Sequence, residues 1–228
     1  MKILLTNDDG IDAPGLSALE AAVREFGEPL VVAPHEPLSG CSHRVTVHRP
    51  LELVSRGRGR HMLDGTPVDC TRVGLVHVAD DIDWVISGIN AGGNLGADVY
   101  MSGTVAAARE AALLGKPAIA ISQYRSRRAP IDWQRASRWA REIISALLKR
   151  PHQPGRFWNV NLPDVNVDGD VPPIVFCPLD PHPMPIRFAH EAGKLRYAAT
   201  YQERRQRPGR DVQVCFSGQI AATELSLH

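Results

Sequence analysis

A doubly wound, mostly parallel α/β sheet is the fold this chain predicts, and three observations carry it. Short apolar runs that end in polar turns alternate with segments whose apolar residues recur at helical spacing. The first strand, helix and strand fit within about thirty-five residues, the span of one right-handed crossover unit. At 228 residues the chain can also bury a substantial core within one main domain.

In order along the chain, KILLT is a buried strand. GLSALEAAVREFG follows with Leu16, Leu19, Val23 and Phe26 on one helical face and Gly27 as its stop. PLVVAP is the second strand. HRVTVHRPLELVSRGRGRHML interrupts the alternation and reads as a hairpin inserted over about residues 44–64. The pattern then resumes: DWVISGIN is a strand ending in a turn, TVAAAREAALLG an Ala-rich helix with a Gly stop, and KPAIAIS the next strand. DWQRASRWAREIISALLKR places Trp139, Ile143 and Leu147 at helical spacing, and RFWNVNLP is another strand. From about Pro172 the helical periodicity is lost, and LRYAATYQERRQRPGRDVQVCFSGQIAATEL reads as a long β-arm with a basic turn at Arg204 to Arg210. The expected division is an α/β catalytic core over 1–171 and a β-rich arm over 172–228. An arm with so little core of its own needs a partner surface.

With 26 basic and 25 acidic residues the net charge is +1, so no overall field selects nucleic acid or an anionic membrane. The Arg-rich SRGRGR and ERRQRPGR runs read as solvated hairpin turns in preference to RNA contacts. No apolar run approaches the roughly eighteen residues of a membrane span, and the opening residues do not make a signal peptide, so the expected location is the cytoplasm. Cys41, Cys70, Cys177 and Cys215 lie far apart without a CxxC pair, as reduced structural thiols do. Cys41, in PLSGCSH, is in a polar loop where a nucleophilic thiol could sit, but a buried structural thiol is the favoured reading. His43 and His48 are expected at the surface or behind a site.

Open α/β sheets bind ligands beyond the carboxyl ends of their strands. TNDDG, PHEPLSGCS and SGINAGGNLGADVYMSGT follow three such strands, which brings Asp8, Asp9, Ser39, Asn90, Asn94 and Ser102 to one sheet edge. Two adjacent carboxylates in a pocket resist ionising together unless a cation or proton offsets them. All these donors are oxygens, which favours Mg²⁺ or Mn²⁺ over zinc. DDG alone reads more readily as a turn and helix cap than as a metal site. Ser102-Gly103-Thr104 opens a helix whose unpaired amides form a phosphate cradle, or an ordinary cap. GINAGGNLG has the wrong spacing for a dinucleotide turn, and the first strand lacks that turn, which argues against a Rossmann cofactor.

DDG, SG and SGIN..GNLG...MSGT, in that order over residues 1 to about 122, resemble the SurE (survival protein E) family. GTPVDC at 65–70 is similar to the segment following that family's hairpin. The resemblance implies a Rossmann-like sheet and a metal-dependent phosphatase acting on nucleoside monophosphates: a 5′-nucleotidase, with 3′ activity as a further expectation. It implies one divalent cation per subunit, Mg²⁺ or Mn²⁺, held by Asp8, Asp9, Ser39 and Asn90. Phosphate would be held by Asn94, Ser102, Gly103 and Thr104, with Asp8 and Asp9 as the catalytic carboxylates. It implies a homodimer or homotetramer through the C-terminal arm. Met101 stands where the family usually has an aromatic residue, and Cys41 and His43 where it usually has small ones. Gly10 occupies the position where a haloacid-dehalogenase-like enzyme would need a second Asp, so attack by water is favoured over an aspartyl-phosphate. The rival reading is a non-catalytic sensor that binds a nucleotide through the same metal and loops.

Overall fold

β1 (Lys2–Thr6), α1 (Pro14–Val23) and β2 (Glu28–Pro34) form the first crossover in the computed structural model, which describes residues 1–126, 130–165 and 170–227. Pro14 opens α1, where a missing N–H costs nothing. β1 pairs in parallel with β2 on one side and with β5 (Trp84–Asn90) on the other. Beyond β5 lie β6 (Ala118–Gln123) and β7 (Arg156–Leu162), both parallel. The helices α3 (Gly103–Leu113) and α4 (Trp133–Leu148) are their crossovers, as the spacing predicts.

Both faces of this sheet are covered, so its central strands are apolar on both sides. Ile3 and Leu5 pack with Leu16, Leu19 and Val23 of α1 and with Trp139, Ile143 and Leu147 of α4. Leu4, Val85 and Ala120 face the other layer, where Val105, Ala108, Ala111 and Ala112 of α3 bury against them. Alanine keeps α3 close to the sheet, and that closeness sets how deeply its first turn reaches into the site.

Three regions depart from the expectation. The insertion is a shorter hairpin: β3 (Leu53–Ser55) and β4 (Arg60–Leu63) pair antiparallel, and β4 lies parallel to β2, so the hairpin extends the main sheet. Residues 44–52 are irregular, and Val47, which the alternation would bury, is 69% exposed. Second, GTPVDC is a short helix, α2 (Pro67–Val73), started by a reciprocal cap in which Thr66 and Asp69 satisfy each other's backbone amides.

Third, residues 195–225 are not one β-arm. Only β9 (Phe188–Glu191) and β10 (Lys194–Tyr197) form a separate antiparallel ribbon. Asp211–Phe216 is a helix, α5, and β11 (Ile220–Ser226) returns to the main sheet between β7 and β8 (Ile174–Phe176). Segment 172–228 thus supplies two of the nine main-sheet strands among the described residues, so the division at 171 does not follow the sheet. DVQVCF alternates like a strand, but Val212, Val214 and Cys215 are all buried with Leu95 and Tyr124. Six residues are too few for periodicity to separate helix from strand, and burial decides. Among the described residues no helix is long and apolar enough to cross a membrane.

Candidate active site

The loops after β1, β2 and β5 and the first turn of α3 meet beyond the carboxyl ends of the strands. A cleft of about 270 Å³ there is lined by Asp8, Asp9, Ser39, Asn90, Asn94 and Ser102, all of which the sequence places at this edge, together with Asp98, Met101, Met184 and Tyr201. Gly10 supplies the turn with φ +100, closed by Asn7 Nδ2 donating to the Gly10 carbonyl at 2.8 Å. Leu38 N donates to the Asp8 carbonyl at 2.8 Å and ties the Ser39 loop to the carboxylate pair.

Asp8 is 4% exposed, and its Oδ1 accepts a short hydrogen bond from the Thr104 hydroxyl. Burial pushes the Asp8 carboxyl up to about 6; the Thr104 hydroxyl opposes the shift and the neighbouring Asp9 charge adds to it. Burial raises Asp9 as well, against the Ala91 amide, which donates to its Oδ2 at 3.0 Å. Each carboxylate therefore has one oxygen committed to the protein and one beyond those bonds. Asn90 Nδ2 donates to the Gly92 carbonyl at 2.7 Å, which leaves Oδ1 as the atom to offer a ligand. Ser39 lies on the exposed rim. Two carboxylate oxygens, an amide oxygen and a hydroxyl are the donor chemistry of a hard divalent cation. Among the described residues no three His, Cys, Asp or Glu side chains converge in a way that could hold a metal ion.

The expected phosphate residues separate into different roles. Asn94 is held by four hydrogen bonds: its N–H donates to Asn161 Oδ1 at 2.8 Å, and its carbonyl accepts from Asn159 and Asn161 at 2.8 and 3.0 Å. Its Nδ2 donates to Ser122 Oγ at 2.7 Å. Ser102 caps α3, its Oγ accepting from Val105 N at 3.1 Å. Gly103 permits close packing: a Cβ there would lie 2.8 Å from Cys41 Sγ and 3.0 Å from Asp8 Cβ. Thr104 is wholly buried outside the cleft walls, and its hydroxyl orients Asp8 where the resemblance has it on phosphate.

Sequence reasoning missed Asp98, Met184, Tyr201 and Arg204. Asp98 Oδ2 accepts from Leu95 N at 3.0 Å, from Tyr201 Oη at 2.6 Å and from Arg204 Nη1 at 2.8 Å. Arg204 Nη2 also donates to the Leu95 carbonyl at 3.0 Å. The Arg204 side chain is 1% exposed, so the head of the expected solvated basic turn is in fact a buried counterion. Burial works against its charge, and Asp98, Tyr201 and Asp211 together outweigh it, so the guanidinium is held above its ordinary range. Asn159 and Asn161 left a signal that went unused: two asparagines on one face of a buried strand need internal partners.

Behind the cleft, His43 Nε2 lies 2.8 Å from Glu110 Oε2, and Arg72 Nε donates to the other Glu110 oxygen. Ser42 N and Oγ donate to the carbonyls of Met101 and Tyr100 at 3.0 and 2.7 Å. These contacts fasten the Ser39 loop to α3. Burial, with the Asp8 charge next, pushes the Cys41 thiol up, which disfavours the thiolate a nucleophile needs.

Residues 3–179 match the family model described as Survival protein SurE. A protein of Synechocystis sp. is 48% identical over 225 residues, spanning 99% of both chains. The 5′-nucleotidase SurE of Paramagnetospirillum magneticum is 38% identical over 233 residues, covering 99% of this chain and 89% of its own. The crystal structure of the SurE protein from Aquifex aeolicus superposes with a TM-score of 0.88 at 30% identity, covering 100% of this chain and 94% of that one. The fold, the loop order and these matches agree, and the chain belongs to the SurE family.

Proposed function

We infer that this protein is a metal-dependent phosphomonoester hydrolase that cleaves nucleoside 5′-monophosphates to nucleoside and phosphate. The observation that carries this reading is the meeting of Asp8, Asp9, Ser39 and Asn90 with Asn94 and Ser102, the N-cap of α3, in one cleft. The name 5′-nucleotidase SurE, borne by relatives such as that of Paramagnetospirillum magneticum, supports the substrate class. A 3′-monophosphate presents the same phosphoryl group and belongs to the same proposal. One Mg²⁺ or Mn²⁺ per subunit, held by Asp8, Asp9, Ser39 and Asn90, would supply Lewis-acid stabilisation of phosphoryl charge and acidify water.

The chain's own groups do the rest. Thr104 fixes the orientation of Asp8, and the Ala91 amide that of Asp9. Ser102 at the start of α3 and the braced Asn94 line the cleft where charge grows on the phosphoryl oxygens. A carboxylate oxygen of Asp8 or Asp9 accepts the proton of the attacking water as the ester bond to the nucleoside breaks. The β9–β10 ribbon, with Phe188, Leu195 and Tyr197 exposed outside the main sheet, supports a homodimer or homotetramer as the working form, and the cytoplasm is its proposed location.

Two results test the chemistry. EDTA should abolish turnover on nucleoside monophosphates reversibly, with Mg²⁺ or Mn²⁺ restoring it better than Zn²⁺ because every donor is an oxygen; full activity after exhaustive chelation would sink the metal site. Cys41→Ala should keep activity within a few-fold of parental and still need the cation. A dead Cys41→Ala protein with intact fold would instead point to covalent catalysis by the thiol.

A further inference from the structure

We propose that Ser42 and His43 are positioning residues for the cation: together they clamp the loop that presents Ser39, so that its hydroxyl is in place before the cation arrives. This rests on the cation site of the hydrolase reading above. Three of the four donors are braced through their own side chains. Asp8 Oδ1 accepts from the Thr104 hydroxyl, Asp9 Oδ2 accepts from the Ala91 amide, and Asn90 Nδ2 donates to the Gly92 carbonyl. Among the described residues nothing bonds the Ser39 hydroxyl, and Ser39 is exposed. Its place is therefore set by the backbone of its loop alone.

That backbone is held in an unfavourable shape. Gly40 has φ +72 and Ser42 φ +54; glycine adopts this region freely, whereas serine is strained there and stays only where its surroundings hold it. The surroundings are the approach to α3 and its outer face. Ser42 N and Oγ donate to the Met101 and Tyr100 carbonyls at 3.0 and 2.7 Å. Cys41 lies against Gly103, where a Cβ would come within 2.8 Å of its Sγ. His43 Nε2 donates to Glu110 Oε2 at 2.8 Å, and Glu110, 1% exposed, is fixed in turn by Arg72 on its other oxygen. Among the described residues His43 Nδ1 is buried without a partner, so the ring holds through Nε2 alone. The loop thus runs along about two turns of α3, while Leu38 N ties its other end to the Asp8 carbonyl at 2.8 Å. A hydroxyl already set among the other donors binds a cation without the cost of ordering a loop. Outer bonds that orient a metal's donors change its affinity by about 10–100-fold when lost.

The test is calorimetric titration of Mn²⁺ into the metal-free protein. His43→Ala should raise the Kd for Mn²⁺ at least about tenfold, while turnover of AMP at saturating Mn²⁺ stays within about threefold of parental. The chain beyond the clamp is held separately, since the Arg44 carbonyl accepts from Thr66 Oγ1 at 2.6 Å, so this variant should fold. His43→Gln, whose amide nitrogen can reach Glu110 as Nε2 does, should bring the Kd back to within about threefold of parental. In a Ser39→Ala background the same His43→Ala change should alter the Kd by less than about twofold, because the clamp acts only through Ser39. Ser42→Gly, which relieves the strained φ and removes the Oγ bond, should weaken Mn²⁺ binding about threefold and serves if His43→Ala fails to fold. An unchanged Kd in the folded variants, or a loss equally large with and without Ser39, would overturn the assignment. A parent that binds no Mn²⁺ would defeat the cation site and the clamp with it. A parent that binds Mn²⁺ but hydrolyses nothing would defeat the hydrolase reading instead, and the calorimetry would still decide the clamp.

Discussion

Asp8→Asn is expected to lower turnover by at least about a thousandfold while making the metal-free protein more heat-stable near neutral pH. Asparagine keeps an Oδ1 that accepts from Thr104, so the local geometry survives; only the charge goes. That charge is costly in the apo fold, because burial raises the Asp8 carboxyl from 3.8 to about 6. At 1.36 kcal/mol per pH unit the burden is about 3 kcal/mol. Its sign follows from linkage: the unfolded chain loses the proton first, so stability falls as pH rises from about 3.8 to about 6 and stays reduced above that. At about pH 7.5 the variant's apo melting temperature should exceed the parent's by roughly 5–10 °C, and the gap should close near pH 4. For the same reason cation affinity of the parent should weaken as pH falls through about 6, since proton and cation compete for one carboxylate. Thermal denaturation with and without EDTA, and a turnover assay with saturating Mn²⁺, decide the matter. Near-parental turnover would remove Asp8 from the site.

Arg204→Met should destabilise the protein by about 3–5 kcal/mol, because it strands Asp98 as a buried carboxylate without its cation. The expected fall in melting temperature is roughly 10 °C. Asp98 also receives the Tyr201 hydroxyl, so the same change loosens the segment that closes over the cleft. Proteolysis between residues 180 and 204 should therefore quicken. Adding Asp98→Asn to Arg204→Met should recover much of the stability, since the cost lies in the unpaired charge and not in lost packing. A fall of less than about 1 kcal/mol in the single variant would place the ion pair among those worth little, as surface pairs are.

Much of the molecule was legible along the chain. The strands at KILLT and DWVISGIN and the helices beginning at Pro14 and Trp133 follow from apolar spacing and caps, which are properties of neighbours. The same locality placed Asp8, Asp9, Ser39, Asn90, Asn94 and Ser102 together, because loops after adjacent parallel strands share one edge and only the strand order is needed. Alternation misled in RVTVH and DVQVCF: a few residues of V-x-V carry too little periodicity to overrule burial, which left the first irregular and made the second a helix.

What only the tertiary structure decided are the partnerships between distant segments. Asp98 meets Arg204 across 106 residues, Asn94 meets Asn161 across 67, and Thr104 turns back 96 residues to Asp8. An arginine in an RRQRPGR run carries no local mark of burial. Its place is set by which carboxylate shares its pocket, and a charge enters the interior only where such a counterion is already waiting. Local spacing determines strands, helices and the edge where loops gather; desolvation and pairing across the assembled chain determine which of those loop residues face the cleft and which brace it.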